Sequence, residues 1–335
     1  MLKVAIIGSN FGVIGLAPAF DSVKDCQIVA ICAKSSEQLD AYCERTGFKN
    51  VYTDWKLLLE NEDLDAVALA VTPGAQYEIV KVAISKGLHV FAEKPLAENL
   101  SQAEELLFLA EEKRVTHGID FMFPEIAEWK KVKELLDKEE LGKLKHISTN
   151  WDWLSGDIKN KRTTWKTDVT KGGGVLSFYF SHGLYYLEFF AGKIINTKSV
   201  LAYSPESMNG GEVMADMLLE FEGGITGSAH VSCVTRGLIR HQLIFFCENG
   251  SIVLENKNAV VDNFTVTIFG QNGMKKLEVV KDENSKNEDE RVKIVRKLAG
   301  RFINACLNKK GAYPSFKDGL RAQELIEKIR INSKI

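Results

Sequence analysis

Short apolar runs alternate with helical patterns through the first 120 residues, and this rhythm limits the possible folds more than any other feature. The runs are KVAIIG at 3–8, QIVAICA at 27–33, DAVALAVT at 65–72 and HVFAEK at 89–94. They are almost continuously apolar and often β-branched, which is typical of parallel strands buried on both faces. The helical patterns between them complete βαβ units. The sequence therefore predicts an α/β domain over residues 1–120 with a Rossmann-type doubly wound parallel sheet.

The pattern changes after about residue 145 to longer segments in which apolar and polar residues alternate. Glycine-rich turns such as EGG and ENG separate them, as between antiparallel strands. The segments are HISTNWDW at 146–153, MADMLLEFE at 214–222, ITGSAHVSC at 225–233 and HQLIFFC at 241–247. They predict a C-terminal α+β domain over residues 121–335 with a large, mostly antiparallel sheet.

Two helical patterns close the chain, at 289–308 and 316–333. The second ends in basic residues, which suit a helix C-terminus. It is a candidate to pack back on the first domain. The polar stretch KDENSKNEDER at 281–291 is predicted to be a solvated loop that leads into the first of these helices.

Charge and cysteine content exclude several classes of protein. Forty-three basic and 45 acidic residues give a net charge of −2, so no strong field attracts nucleic acid or an anionic membrane. The six cysteines form no CxxC pair and lie largely in apolar runs, which indicates thiols in a reducing compartment and no metal site. No apolar segment approaches the ~20 residues needed to span a bilayer. We expect a cytoplasmic protein whose partner is a small molecule.

The turn GSNFGVIGLAPAF, which begins at residue 8, lies where a doubly wound sheet binds a dinucleotide. Against the GxGxxG pattern Gly8 fits, but Asn10 replaces the second glycine and Val13 the third. A purely structural turn remains an alternative. The candidate dinucleotide-binding residues in this turn are Gly8, Ser9, Asn10, Phe11 and Gly12.

The end of the second predicted strand bears on the choice of cofactor. An Asp or Glu usually stands here in sites that prefer NAD, whereas this chain has Ala33, Lys34, Ser35 and Ser36. A cation and hydroxyls suit a 2′-phosphate, so Lys34 and Ser35 predict NADP as the preferred cofactor, with NAD as the alternative. Ser35 or Ser36 is equally suited to cap the next helix.

Three further segments carry a family resemblance: VALAVTPGAQYEIV, then GLHVFAEKPLAENLSQAEEL, then GGGVLSFYFSHGLYYL, followed by the ending FKDGLRAQELIEKI. In this order and spacing the chain resembles the glucose-fructose oxidoreductase, inositol dehydrogenase and rhizopine-catabolism (Gfo/Idh/MocA) family of NAD(P)-dependent oxidoreductases. The resemblance covers nearly the whole chain. Its most specific element is the EKP triplet at residues 93–95.

The resemblance implies a catalytic role for Lys94, beside the nicotinamide and the reacting carbon. An ammonium at the carboxyl end of a strand is able to stabilise a developing alkoxide. Glu93 is expected to orient Lys94 or the nicotinamide ribose. The resemblance also places three residues of the preceding strand-to-helix turn near the nicotinamide, although many relatives have His where this chain has Gln; these are Thr72, Pro73 and Gln76.

In the second domain the resemblance points to a helix that follows Gly172–Gly174. His182 occupies the family's histidine position and is a candidate catalytic acid/base, but Phe178 stands where relatives have Asp. Tyr179 and Trp165 are candidate substrate contacts, with core or surface packing as the alternative. Asp168 is expected to cap a turn.

Together these features predict an oxidoreductase that transfers a hydride to or from a hydroxyl or carbonyl carbon of a sugar, polyol or nucleotide-linked sugar. The alternative is a non-catalytic dinucleotide-binding regulator or scaffold with the same fold. Because the chain's own helices cover only one face of the large sheet, and relatives associate through it, we expect a homodimer or homotetramer.

Overall fold

The structure, a computed structural model, describes residues 1–204, 207, 209–258 and 260–333. It divides into two units, and each unit combines two stretches of the chain. Unit 1 contains Met1–Met122 and Glu283–Arg321, and unit 2 contains Phe123–Asp282 and Ala322–Ile335. The predicted domains are contiguous, whereas the helices that close the chain are divided between the units.

The strands of the described chain form two sheets. A six-stranded sheet lies in unit 1 and an eight-stranded sheet in unit 2. In chain order the strands are β1 (Leu2–Ile7), β2 (Cys26–Cys32), β3 (Val51–Tyr52), β4 (Ala66–Leu69), β5 (His89–Ala92), β6 (His117–Ile119), β7 (Leu144–Asp152), β8 (Ile194–Ala202), β9 (Met214–Phe221), β10 (Thr226–Ser232), β11 (Arg240–Cys247), β12 (Gly250–Asn256), β13 (Thr265–Gly270) and β14 (Gly273–Leu277).

The helices connect the strands of unit 1 and flank the sheet of unit 2. Side chains of Ser36, Asp54 and Asn99 cap three of them by accepting hydrogen bonds from backbone N–H groups in the first turn. In chain order the helices are α1 (Ala17–Asp21), α2 (Glu37–Thr46), α3 (Trp55–Asn61), α4 (Pro73–Ser85), α5 (Leu100–Lys113), α6 (Ala127–Asp137), α7 (Gly156–Lys159), α8 (Ser181–Ala191), α9 (Val292–Asn308) and α10 (Phe316–Asn332).

The sheet of unit 1 is parallel throughout, with the order β3-β2-β1-β4-β5-β6. This order reverses between β1 and β4, which creates the crevice where open α/β sheets bind ligands. The central strands are buried on both faces because they are continuously apolar. The predicted doubly wound parallel sheet is confirmed.

An aromatic core joins α9 to the sheet of unit 1. Phe20 of α1, Phe91 of β5 and Phe302 of α9 meet edge to face, with ring centres 5.4 to 6.2 Å apart. All three rings are fully buried. Burial of each ring contributes on the order of 1.5–3 kcal/mol. Helix α9 therefore belongs to unit 1 although it comes late in the sequence.

The sheet of unit 2 has the order β14-β13-β12-β11-β7-β10-β9-β8. Its neighbouring strands are antiparallel except β7 and β10. Buried and exposed residues alternate along strand β9, MADMLLEF. This alternation is typical of an antiparallel sheet with one covered face. The predicted mostly antiparallel sheet is confirmed.

A neutral network lies in the core of unit 2 and consists of Thr149, Tyr186 and His241. The Tyr186 hydroxyl lies 3.2 Å from Thr149 Oγ1 and 3.1 Å from His241 Nε2. The His241 ring stacks on Trp151 with ring centres 4.2 Å apart. Burial lowers the pKa of His241 to about 3, so the imidazole is neutral at physiological pH.

The uncovered face of the same sheet carries large apolar side chains. Val200, Leu218, Phe246 and Phe269 are exposed on β8, β9, β11 and β13. They occupy outward positions of strands that also place buried residues in the core.

All six cysteines are free thiols, as predicted. Burial raises the pKa of Cys32 to about 11 and that of Cys233 to about 12, so these thiols are not ionised at neutral pH. Among the described residues, no helix has the length and apolar character required to cross a bilayer.

Candidate functional site

The glycine turn after β1 lies at the position where doubly wound sheets bind the diphosphate of a dinucleotide. Gly8 has φ +142°, and a Cβ there would lie 2.2 Å from the Ala70 carbonyl oxygen, so only glycine is accommodated. A Cβ on Gly12 would have its nearest heavy atoms 3.8 Å away, so the space at this position would also accommodate a side chain. The helix that follows begins with N–H groups that have no intrahelical partner, and such groups attract phosphate.

Ser9 ties this turn to the end of β2. Its Oγ accepts a hydrogen bond from the backbone N–H of Lys34 at 2.9 Å. Beyond that point Ser36 caps α2 by accepting from the N–H of Leu39 at 3.2 Å. The capping alternative is therefore confirmed for Ser36, whereas Lys34 and Ser35 are exposed.

The turn after β4 contains Thr72 and Pro73, which begin α4. Thr72 stands at the N-cap position but makes no side-chain capping hydrogen bond, and it is exposed. Pro73 occupies the first helical position, where its missing N–H costs nothing. The Thr72 hydroxyl therefore faces solvent at the carboxyl edge of the sheet.

Gln76 holds the backbone of the EKP triplet. Its Nε2 donates hydrogen bonds to the carbonyls of Glu93, Pro95 and Leu96 at 2.7, 3.1 and 3.0 Å. Its Oε1 accepts from the N–H of Glu93 at 3.0 Å. The residue is only 1% exposed. The carboxamide thus fixes the segment around Lys94, a contact that the sequence does not reveal.

Lys94 follows β5, and its peptide bond to Pro95 is cis. The residue is partly buried. Burial lowers the pKa of its ammonium, the nearby Glu93 and Asp120 oppose this effect, and Arg291 adds to it. The Lys94 ammonium is therefore a stronger proton donor than that of an ordinary lysine.

Asp120 is a neighbour of Lys94 that sequence reasoning missed. It follows β6, and its N–H donates to the Ala92 carbonyl at 2.9 Å, which places it beside the end of β5. It is 2% exposed, and its Oδ1 has no hydrogen-bond partner within the described part of the chain. Burial, and then the adjacent Glu93, raise the pKa of Asp120 well above its ordinary value. The sequence signal that could have identified Asp120 is an acidic residue directly after a short buried strand.

Arg291 is the second missed residue. Its Nε and Nη2 donate to Asp289 Oδ1 and Oδ2, each at 2.8 Å. Its charge influences Glu93, Lys94 and Asp120. The predicted solvated loop at 281–291 thus ends in a partly buried arginine. We call Glu93, Lys94, Asp120 and Arg291 the charged cluster.

In unit 2 an ion pair between the buried Glu212 and the partly buried Arg330 supports the glycine turn before α8. Gly174 has φ +96°, and a Cβ there would lie 2.3 Å from Glu212 Oε1. Glu212 Oε1 accepts hydrogen bonds from Leu176 N–H at 3.1 Å and from Arg330 Nη2 at 2.8 Å. Arg330 Nη2 also donates to the Gly173 carbonyl at 2.6 Å. The pair fixes the start of the segment that carries the candidate site residues of unit 2.

That segment begins with a π-helical turn, Leu176–Phe180, and continues as α8. Such turns are frequent at functional sites. His182 on α8 is 4% exposed, and its ring packs edge to face on Phe123 with centres 5.0 Å apart. Tyr179 packs against Phe178, with ring centres 4.0 Å apart.

Two candidate substrate contacts, Trp165 and Tyr179, both touch Phe178. The Trp165 and Phe178 ring centres are 5.4 Å apart, and Lys166 Nζ lies 4.1 Å from the Phe178 ring centre. A cavity of about 20 Å³, enough for one water molecule, lies beside Phe178, Tyr179 and Glu212. The structure therefore groups these aromatic residues, and the His182 ring packs on Phe123.

Asp168 caps the turn Val169–Lys171, as predicted. It accepts hydrogen bonds from Thr170 N–H at 3.0 Å and from Asn209 Nδ2 at 2.9 Å. Hydrogen bonds from Thr170 and Asn209 lower the pKa of its carboxyl. Within the described residues, no group of three or more His, Cys, Asp or Glu side chains is arranged to hold a metal ion.

Comparisons with known proteins agree with this geometry. Residues 2–121 match the model of the oxidoreductase family with an NAD-binding Rossmann fold, and residues 129–253 match the GFO/IDH/MocA C-terminal domain. The chain is 28% identical to the oxidoreductase sll0816 of Synechocystis sp. over 97% of this chain and 92% of that protein. It is 30% identical to dTDP-3,4-didehydro-2,6-dideoxy-alpha-D-glucose 3-reductase of Actinomadura kijaniata over 49% and 51% of the two chains.

Among solved structures, levoglucosan dehydrogenase in complex with NADH and levoglucosan has a similar fold. The TM-score is 0.84 at 17% identity, with 99% of this chain and 97% of that chain covered. The predicted resemblance is confirmed across both sheets. The chain belongs to the glucose-fructose oxidoreductase, inositol dehydrogenase and rhizopine-catabolism family of oxidoreductases, whose N-terminal part is an NAD-binding Rossmann fold.

Proposed function

We propose that this oxidoreductase prefers NADP and moves a hydride between the nicotinamide and a carbon of a sugar, polyol or nucleotide-linked sugar. The observation that carries the proposal is the position of Lys94. Gln76 fixes the backbone on both sides of Lys94 at the carboxyl end of β5, and burial lowers the pKa of the Lys94 ammonium. Relatives named as a deoxysugar 3-reductase and a levoglucosan dehydrogenase support the substrate class.

Lys94 acts on the substrate oxygen in this proposal. The bound nicotinamide accepts or supplies the hydride. During reduction of a carbonyl, negative charge develops on the oxygen, and the Lys94 ammonium stabilises it by donating a hydrogen bond. During oxidation of a hydroxyl, the same oxygen loses its proton while the carbon loses hydride, so electrons and protons balance.

His182 is proposed to exchange the hydroxyl proton. An imidazole is able to take up and release a proton, which suits this task, and residue 178, where relatives have Asp, is Phe. The aromatic group of Trp165, Phe178 and Tyr179 offers flat apolar faces of the kind that sugar rings stack on. Trp165 and Tyr179 are the proposed substrate contacts.

The proposed preference for NADP rests on the end of β2. Lys34 and Ser35 are exposed directly beside the glycine turn, and Ser36 is already engaged as a helix cap. A lysine and a hydroxyl recognise a 2′-phosphate by charge and hydrogen bonding. The remaining predicted cofactor contacts are the turn residues Gly8–Gly12 with Thr72, Pro73 and Glu93, while Gln76 is proposed to act by holding the EKP backbone.

Activity is tested by incubating the protein with NADP⁺ or NAD⁺ and a panel of sugars, polyols and nucleotide-linked sugars. We expect net formation of NADPH with at least one compound, and tighter binding of NADPH than of NADH. Tighter binding of NADH would refute the role given to Lys34. Dinucleotide binding without turnover of any panel member would favour the regulator or scaffold, the alternative that Phe178 supports.

We also propose that the uncovered face of the eight-stranded sheet joins subunits into a homodimer or homotetramer. Its exposed Val200, Leu218, Phe246 and Phe269 support this assignment, since such residues are usually covered in an assembly. Sedimentation of a monomer at micromolar concentration would contradict it. The free thiols support the further proposal of a cytoplasmic location.

A further inference from the structure

Arg291 brings a cation to the glycine turn from a distant part of the sequence. Its guanidinium carbon lies 4.2 Å from the centre of the Phe11 ring. Phe11 stands in the first helical turn after Gly8, and its ring fills the space beside Gly15, where a Cβ would lie 2.2 Å from it. The guanidinium is therefore stacked on a ring that is itself fixed at the start of the helix.

Asp289 fixes the orientation of this guanidinium. The Nε and Nη2 atoms donate to its two carboxylate oxygens, and the backbone N–H of Arg291 donates to Asp289 Oδ1 at 3.0 Å. A guanidinium carries five N–H donors, so these bonds use only one of its edges. Nη1 has no acceptor among the residues that the structure describes, and the side chain is 28% exposed.

The charge of Arg291 also interacts with ionisable groups at the ends of β5 and β6. It acts on Lys94 and Glu93 after β5 and on Asp120 after β6. Arg291 thus stands between the turn that fits the diphosphate and the strand ends that carry the proposed chemistry. In a dinucleotide that spans these two places, the group between them is the phosphate on the nicotinamide side.

We propose that Arg291 binds the nicotinamide-side phosphate of the dinucleotide through the guanidinium edge that Asp289 leaves open. This inference rests on the proposed function, because it needs a dinucleotide in the crevice. Arginine binds phosphate through paired, charge-assisted hydrogen bonds. The cofactor site would then include a residue that lies far from the N-terminal 120 residues in sequence.

The test compares wild-type protein with Arg291→Gln in titrations of three ligands. NADPH and 2′-phospho-ADP-ribose contain the nicotinamide-side phosphate, whereas adenosine 2′,5′-bisphosphate lacks it. We expect Arg291→Gln to raise the Kd of the first two by about 10- to 100-fold, the range for a lost charged hydrogen bond, and to leave the third unchanged. Arg296→Gln is the matched control, since Arg296 lies on α9, the helix that Arg291 precedes, and pairs with Glu288; it should leave all three Kd values unchanged.

Equal weakening of all three ligands, or no weakening of any, would overturn the proposal. If Arg291→Gln does not fold, Arg291→Lys serves instead, because it keeps the charge and loses the planar fork; its expected Kd increase is about tenfold for the first two ligands alone. Wild-type protein that binds no dinucleotide would refute the proposed function itself. If Arg291→Gln binds the three ligands as tightly as wild-type protein does, only the role of Arg291 is refuted.

Discussion

Two clusters, one in each unit, bury polar groups in opposite ways. In unit 2 the neutral network of Thr149, Tyr186 and His241 is uncharged, and the Tyr186 hydroxyl has a partner on each side. In unit 1 the charged cluster places Lys94 and Arg291 beside two carboxyl groups, and Asp120 Oδ1 has no partner in the described chain.

This difference separates a stabilising arrangement from a functional one. Satisfied neutral hydrogen bonds in a core stabilise the fold and specify its packing. Buried charges with an unsatisfied oxygen lower stability and are kept where they bind or react. Substitutions in the two clusters should therefore affect different properties of the protein.

The largest effect is expected from Lys94→Ala in the charged cluster. Loss of the ammonium that stabilises the charge developing on the substrate oxygen should lower turnover by about 10² to 10³, while the Kd for NADPH changes by no more than a few-fold. Steady-state rates on a panel substrate and a fluorescence titration of NADPH measure the two quantities. Lys113→Ala, at an exposed position of α5, is the control. Unchanged turnover in Lys94→Ala would rule out the assignment.

A smaller effect, on stability alone, is expected from Tyr186→Phe in the neutral network. Removal of the hydroxyl leaves Thr149 Oγ1 and His241 Nε2 without this partner, and the free energy of unfolding should fall by about 1–3 kcal/mol. Urea unfolding gives this value, and the Kd for NADPH should not change. Tyr203→Phe, at an exposed tyrosine, should be neutral. A large loss of NADPH binding in Tyr186→Phe would contradict the claim that the neutral network contributes to stability alone.

The smallest effect, and one of opposite sign, is expected from Asp120→Asn. Because burial raises the folded-state pKa of Asp120, its contribution to stability is fully present below its unfolded pKa and is lost as pH rises toward the folded value. The asparagine variant should therefore gain in Tm over wild type as pH rises from 4 to 8. Thermal unfolding at both values measures this. A gain that shrinks with pH would show that the carboxylate is well stabilised by its neighbours.

Much of the fold follows from periodicity. Continuous apolar runs predict β1, β2, β4 and β5, and alternation predicts the large sheet, because burial on two faces or one face leaves those patterns. The division of the last two helices between the units does not follow from periodicity. It depends on long-range contacts such as those of Phe302, which no local pattern records.

The site was only partly predictable for the same reason. The EKP triplet and the glycine turn are local motifs, and the structure places both at the carboxyl edge of the parallel sheet. Arg291 reaches Phe11 only through the packing of α9, and the contacts of Gln76 depend on the path of the chain after β5. Asp120 is a local signal, since it directly follows a buried strand.

The pH dependence of kcat/KM for carbonyl reduction tests the central claim, that the ammonium of Lys94 serves the reacting oxygen. In wild-type protein we expect activity to fall as pH rises through a pKa below the ordinary lysine value of 10.5. In Lys94→Arg this alkaline decline should disappear, because a guanidinium stays protonated throughout the range. The same decline in both proteins would contradict the account.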